Sequence, residues 1–202
     1  MRVLDLGCGF GRNINITPIS ASDEIVGVDI ALDRLQSAAK KFPSRRFVHA
    51  RAEQLPFHDE AFGCTVCEVA MPYMNIPVAL AEINRILKPG GTVHISLHAL
   101  RFTIHELTLA FPRPKPLLFR LWILVNGLIL HFTGKPAKIA GRYESFQTRR
   151  GISIALKRTG FAEIVFTRPR DNFTKQLVVS ARRPDVIRSD VRPPAHASTA
   201  LL

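Results

Sequence analysis

Residues 1–13 read MRVLDLGCGFGRN, with Gly7, Gly9 and Gly11 directly behind the apolar run Val3-Leu4-Asp5-Leu6. An apolar run of that length stopped by glycines reads as a short buried strand. Glycines after a strand allow a tight turn without Cβ atoms, so a ligand can approach the backbone. The helix that follows then turns its N-terminus toward that ligand. The loop therefore predicts a site for the charged end of a cofactor, and its spacing separates the alternatives. A dinucleotide loop, G-x-G-x-x-G, needs its third glycine at position 12. Arg12 stands there, where a large cation would crowd the helix–strand contact. A phosphate loop fails as well, because no Gly-Lys-Ser/Thr follows.

Strand and helix alternate outward from this loop. Residues 12–20 have room for one short helix before a second strand at 25–29. Residues 31–41 place Leu32, Leu35 and Ala39 on one helical face, and Pro43 ends that helix. Strands follow at 46–50 and 65–69, a helix at 78–87, a Lys88-Pro89-Gly90-Gly91 stop, and a fifth strand at 92–97. Residues 100–147 break the rhythm. A helix at 152–157 and strands at 161–167 and 176–181 close the pattern. The reading is an α/β, Rossmann-like, doubly wound seven-stranded sheet, mostly parallel with an antiparallel last strand, and a helical insertion after strand five. Residues 1–183 form one domain, with 100–147 as a lid, and 184–202 are expected to be a disordered basic tail.

With 47% hydrophobic residues, the chain of 202 residues can bury a sizeable core. Its net charge of +12 is unevenly placed. Residues 1–100 carry 10 Lys/Arg and 10 Asp/Glu, whereas residues 101–202 carry 18 and 6, which holds the whole excess. A basic half attracts anionic partners or keeps a surface soluble. Three cysteines exclude a disulfide framework and fit a cytoplasmic setting. Cys64 and Cys67, three apart on a strand, face opposite sides, so they read as buried residues rather than a redox or metal pair, and no metal is expected.

The segments together resemble class I S-adenosylmethionine-dependent methyltransferases, most closely the type 11 group. VLDLGCGFGRN is similar to the family's D/E-x-G-x-G-x-G loop. IVGVDI (25–30), ARAEQLPF (50–57), AFGCTVCEVA (61–70) and LAEINRILKPGGTVHIS (80–96) follow in the family's order. The resemblance covers residues 2–98 and implies S-adenosyl-L-methionine as cofactor. It implies that Gly7, Cys8, Gly9 and Gly11 turn around the methionine moiety, with Asp5 anchoring the turn. Asp29 would accept both ribose hydroxyls, Ile30 would pack on the adenine, and Ala52 would offer its N–H to the ring. Cys67 and Glu68 would face the methionine end. Where the family has an adenine-binding Asp this chain has Arg51, so Glu53 or a backbone carbonyl is expected to take over. The family's acid before strand four is Gly63 here.

Methyl transfer from a sulfonium is a displacement in which the protein mainly positions and desolvates. A base is needed only where the acceptor must lose a proton. No catalytic residue is assigned; Glu68, Tyr73 and His98 are the candidates near the C-terminal edge of the sheet. Ordinary packing for Tyr73 and a loop position for His98 are the plainer alternatives. Ala70-Met71-Pro72-Tyr73 lacks the Asn/Asp of amino-directed base methyltransferases, and no Pro-Cys nucleophile is present, which disfavours nucleic acid. The sixteen residues 117–132 are the most apolar stretch, interrupted by Arg120, Asn126 and His131. That run falls short of the ~20 residues of a membrane span. It reads as a lid over an apolar or amphipathic small-molecule acceptor, or as a helix packed on the sheet edge or in a dimer. Arg113, Lys115 and Arg120 flank it, which admits peripheral contact with an anionic membrane. Tyr143, Glu144 and Gln147 are candidates to face the acceptor; the plainer alternative is a cap for the next helix, with Thr148 as N-cap. A methyltransferase-like binding protein without activity is the alternative function. Family members carry helices ahead of the first strand, so a fragment or misassigned start is expected for a chain whose first strand begins near residue 2.

Overall fold

The computed structural model describes residues 1–11, 20, 22–168 and 176–185. Seven strands form one sheet in the order β3-β2-β1-β4-β5-β7-β6. They are β1 (Arg2–Leu6), β2 (Glu24–Asp29), β3 (Arg46–His49), β4 (Phe62–Cys67), β5 (Leu87–Leu97), β6 (Ala162–Thr167) and β7 (Leu177–Arg182). β1 through β5 pair in parallel, and β7 lies antiparallel between β5 and β6. The winding reverses between β1 and β4. Such a switch point opens a crevice at the carboxyl ends of the strands, and the glycine loop leaves β1 there.

The helices are α1 (Leu32–Lys41), α2 (Ile76–Ile86), α3 (Leu100–Ala110), α4 (Pro114–Thr133) and α5 (Arg149–Arg158). α2 buries Ile76, Ala79, Leu80, Ile83 and Ile86, the 3- and 4-residue spacing of a single face. These side chains pack on Leu4, Leu6, Phe62 and Ile95 in the main core. Full burial of a Leu or Ile contributes roughly 1.5–3 kcal/mol, so this layer holds the sheet that carries the site. Thr148 caps α5 as expected, its hydroxyl accepting from the Gly151 N–H at 3.1 Å.

Among the boundaries that differ from the sequence reading, three bear on the site. β4 covers 62–67 rather than 65–69, because Val69 takes a positive φ of 63° and turns the chain out of the sheet. The Lys88–Gly91 stop lies inside β5: a register shift between Phe62 and Cys64 absorbs it, with Gly90 at φ 73°. The apolar stretch is part of a longer helix, α4, whose 20 residues are enough by length and composition to cross a membrane. The helix expected at 12–20 and the tail from 186 onward lie outside the described residues.

Cys64 packs with Val3, Val66 and Val178, whereas Cys67 packs in the main core. Both are free thiols on opposite faces of β4, as strand alternation requires. Burial raises the pKa of Cys64 and pushes that of Cys67 up to about 12, where neither is a thiolate at neutral pH.

Candidate active site

The turn after β1 is held by backbone. The N–H groups of Gly7 and Cys8 donate to the Val28 carbonyl at 2.7 and 3.0 Å, and that of Gly11 donates to the Cys8 carbonyl at 2.8 Å. Gly7, Gly9 and Gly11 all have positive φ, at 76°, 51° and 74°. Gly7 has a second reason to be glycine: a Cβ there would lie 2.2 Å from the Ala70 Cβ. Beside Gly9, among the described residues other than its chain neighbours, no atom lies within 4 Å of where a Cβ would stand, and that position faces open space.

That space is a cavity of about 580 Å³ at the switch point, within the roughly 300–1,000 Å³ typical of small-molecule sites. Gly7 and Gly9 form one wall. Asp29, at the end of β2, accepts from the Gly9 N–H through Oδ2 and from the Ala31 N–H through Oδ1, both at 2.8 Å. A carboxylate has about four acceptor positions, so each oxygen retains capacity toward the cavity. Ile30 is 58% exposed and presents an apolar surface beside it. Ala52 and Glu53 line the opposite side. One Glu53 oxygen accepts from the Asn75 N–H at 2.9 Å, and the other lies 3.5 Å from the Arg51 guanidinium. Glu68 and Tyr73 complete the end near β4.

Gly7, Cys8, Gly9, Asp29, Ile30, Ala52, Glu53, Glu68 and Tyr73 thus converge as expected. Cys8 lines the cavity with its backbone side, since its Sγ would be 2.9 Å from a Cβ placed on Gly27. Three expected residues do not reach the cavity. Asp5 is 2% exposed within β1, Gly11 closes the turn against Phe42, and Cys67 is fully buried. Asp5 still shapes the site from beneath. Burial, then repulsion from Glu68 and Asp29 against attraction from Arg45, raises its pKa to about 8, so it is protonated at neutral pH. Sequence reasoning missed Arg34 and Met74, which also line the cavity, and the strained Val69. The Val69 N–H donates to the fully buried Ser96 hydroxyl at 2.9 Å, which ties the turn to β5. A valine at positive φ is unfavourable, and nothing in the local sequence signals it.

A second cavity of about 180 Å³ has one lining residue, Tyr73, in common with the first. His98 stands in this second cavity rather than the first, together with Phe119, Arg120 and Ile123 of α4 and Arg142, Glu144 and Ser145. Two ion pairs, Arg120–Glu106 and Arg142–Glu144, each close at 2.8 Å. The His98 backbone exchanges bonds with Gln147: its carbonyl accepts the Gln147 N–H at 2.8 Å, and its N–H donates to Gln147 Oε1 at 3.1 Å. Burial lowers the His98 pKa, opposed by Glu106 and assisted by Arg120, so the ring is neutral at pH 7. Of the three polar candidates to face the acceptor, Glu144 faces this cavity, Gln147 clasps His98, and Tyr143 accepts from Asn75 Nδ2 at 3.3 Å.

The element that shapes this cavity hangs on Asn126, which the sequence reading passed over as a break in an apolar run. It is fully buried. Its Nδ2 lies 3.1, 3.0 and 2.9 Å from the carbonyls of Ala137, Tyr143 and Glu144, and its Oδ1 accepts the Ala137 N–H at 2.7 Å.

A 3-2-1-4-5-7-6 sheet, a glycine turn at its switch point and an acid ending the second strand define a nucleoside-binding α/β domain. Residues 4–95 match the family model described as "Methyltransferase domain". Over those residues the chain is similar to that family, and its fold is that of solved S-adenosylmethionine-dependent methyltransferases. It is 29% identical over 170 residues to an uncharacterised protein of Methanocaldococcus jannaschii, covering 82% of this chain and 62% of that protein. It is 35% identical over 101 residues to a demethylmenaquinone methyltransferase of Staphylococcus aureus, covering 46% of this chain and 41% of the enzyme. The chain therefore spans about two fifths to three fifths of the length of these relatives. Among solved structures, a SAM-dependent methyltransferase of Methanosarcina mazei superposes with a TM-score of 0.59 at 19% identity, covering 91% and 92% of the two chains.

Solved structures that share this fold are named for S-adenosylmethionine, and the residues of the larger cavity fit that cofactor. Asp29 retains acceptor capacity for ribose hydroxyls, Ile30 offers an apolar face to a base, and the open space at Gly9 leaves room for close backbone approach. The carboxyl group of Glu68, at the end near β4, suits a cationic sulfonium and ammonium.

Proposed function

We propose that the protein transfers a methyl group from S-adenosylmethionine to a small amphipathic acceptor held in the second cavity. One observation carries the reading: the cofactor-sized cavity and the smaller one share Tyr73 as a lining residue. The cofactor supplies an electrophilic methyl group on a sulfonium. Asp29 and the glycine turn fix its nucleoside end, and Tyr73 stands between the reacting partners. Phe119 and Ile123 receive the apolar part of the acceptor, while the two ion pairs and His98 meet its polar end. His98, neutral at pH 7, is able to accept a proton from an acceptor hydroxyl. The S. aureus relative, named for a quinone acceptor, supports a ring with an apolar portion.

Incubation with methyl-labelled cofactor and a panel of hydroxylated aromatic and quinol compounds tests this. Transfer that falls in His98→Ala, with cofactor binding retained, is the expected result. No transfer to any of them, or a His98→Ala rate equal to wild type, contradicts the reading or the role of His98 respectively.

A further inference from the structure

The outer face of α4 is apolar and uncovered among the described residues. Leu118, Leu121, Val125, Leu128 and Phe132 recur at 3- and 4-residue steps and are 43–67% exposed. Half-buried Leu117, Trp122, Leu124 and Ile129 flank them, widening the apolar arc to roughly 160° at 3.6 residues per turn. The opposite side is fixed to the domain. Ile123, Asn126, Gly127 and Leu130 are buried, and a Cβ on Gly127 would meet the Phe146 ring at 2.0 Å. With that side engaged, the helix offers one face to a partner.

Charge decides which partner. Between Glu106 and Glu144 the sequence has no acidic residue, while Arg113, Lys115, Arg120, Lys135, Lys138 and Arg142 are cations. Arg120 and Arg142 are paired with Glu106 and Glu144. Arg113 and Lys115 are exposed at the start of α4, and Lys135 and Lys138 are exposed just past its end. A second copy docked through α4 would set cations against cations whether the helices ran parallel or antiparallel. The arc is also wider than the two-residue seam of paired helices. An anionic lipid surface attracts both ends and accepts the apolar arc between them.

We infer that α4 seats the protein on an anionic lipid surface, its outer face in the headgroup boundary and its axis along the membrane plane. The inner side of the same helix gives Phe119, Arg120 and Ile123 to the second cavity. Docking therefore brings that cavity to the bilayer, where an amphipathic acceptor partitions. This last step rests on the proposed methyl transfer, whereas the docking itself does not.

The test is co-sedimentation of the full chain with phosphatidylcholine vesicles, with and without phosphatidylglycerol. Binding to the anionic vesicles, weaker binding to the neutral ones and release by salt are expected. The triple variant Leu121→Glu, Val125→Glu, Leu128→Glu should stay in the supernatant. Each of Arg113→Gln, Lys115→Gln, Lys135→Gln and Lys138→Gln should lower partitioning about fivefold. These side chains are exposed and line neither cavity, so thermal unfolding and calorimetric cofactor binding should match wild type. Three results would overturn the inference: no binding to anionic vesicles, binding that the triple variant keeps, or a stable dimer that the triple variant dissolves. Loss of cofactor binding by wild type would instead strike the methyltransferase reading and leave the docking standing.

Discussion

The turn after β1 lines the larger cavity and the α3–α4 insertion lines the smaller one, and the two are built differently. The turn is held by backbone hydrogen bonds and by positive φ values that glycine alone adopts cheaply. The insertion is held by packing and by one buried side chain, Asn126, bonded to three separate residues. The first kind of site depends on residues adjacent in sequence. The second depends on partners eleven to eighteen positions away. A lesion in the turn should therefore remove the cofactor, whereas one in the insertion should loosen the acceptor cavity and leave the cofactor bound.

The largest expected effect is Gly7→Ala. The new Cβ meets the Ala70 Cβ at 2.2 Å and sits at φ 76°. Strain and overpacking together should cost about 3 kcal/mol or more, read as a lower urea midpoint with cofactor binding lost. Asn126→Ala comes next. It strands an N–H and up to three carbonyls, which should cost about 3 kcal/mol and lower the melting temperature by roughly 6–12 °C. Calorimetry should show the remaining folded protein binding cofactor as wild type does. Equal loss of cofactor binding in both variants would erase the contrast between the two regions.

Gly9→Ala sharpens it. Its φ of 51° should cost only about 1–2 kcal/mol, but its methyl group points into the open space of the cavity. Cofactor affinity should fall more than stability does, which calorimetry and chemical denaturation measure separately.

Asp5 is tested by a slope with pH rather than by a loss at one pH. Its pKa is raised to about 8 in the fold from an ordinary 3.8. Between these values the native state holds a proton that the unfolded chain releases, so stability falls as pH rises from about 4 to about 8. Asp5→Asn removes that slope. The melting temperature of the variant should gain on wild type steadily as pH rises through this window. Curves that stay parallel across the window would mean that Asp5 ionises normally.

The same contrast explains what could be read from the sequence. The seven strands, their mixed order and Asp29 at the end of β2 follow from local patterns: glycine stops, short apolar runs and alternation. The resemblance, carried over residue by residue, is what brought Gly9, Ile30, Ala52 and Glu53 together, and they line one cavity. Asp5, Gly11 and Cys67 belong to the same segments but lie behind the wall, because strand alternation and the curl of the turn point them inward. The strain at Val69 and the role of Asn126 were hidden, since both are set by partners distant in the chain, Ser96 and the 137–144 segment. His98 was legible as a candidate, but its place in the second cavity depends on the insertion folding over it. Even the length of α4 escaped an apolar count, because Pro114, Lys115 and Pro116 open the helix before the apolar run begins.

The central claim is that the cavity at the switch point binds S-adenosylmethionine through Asp29. Titration calorimetry with the cofactor and its demethylated product tests it most directly. Wild type should bind both with one-to-one stoichiometry. Asp29→Ala removes two hydrogen bonds to a carboxylate and should bind about a hundredfold more weakly, or roughly 3 kcal/mol, while remaining folded by circular dichroism. No saturable binding by wild type, or equal affinity in Asp29→Ala, would contradict the account.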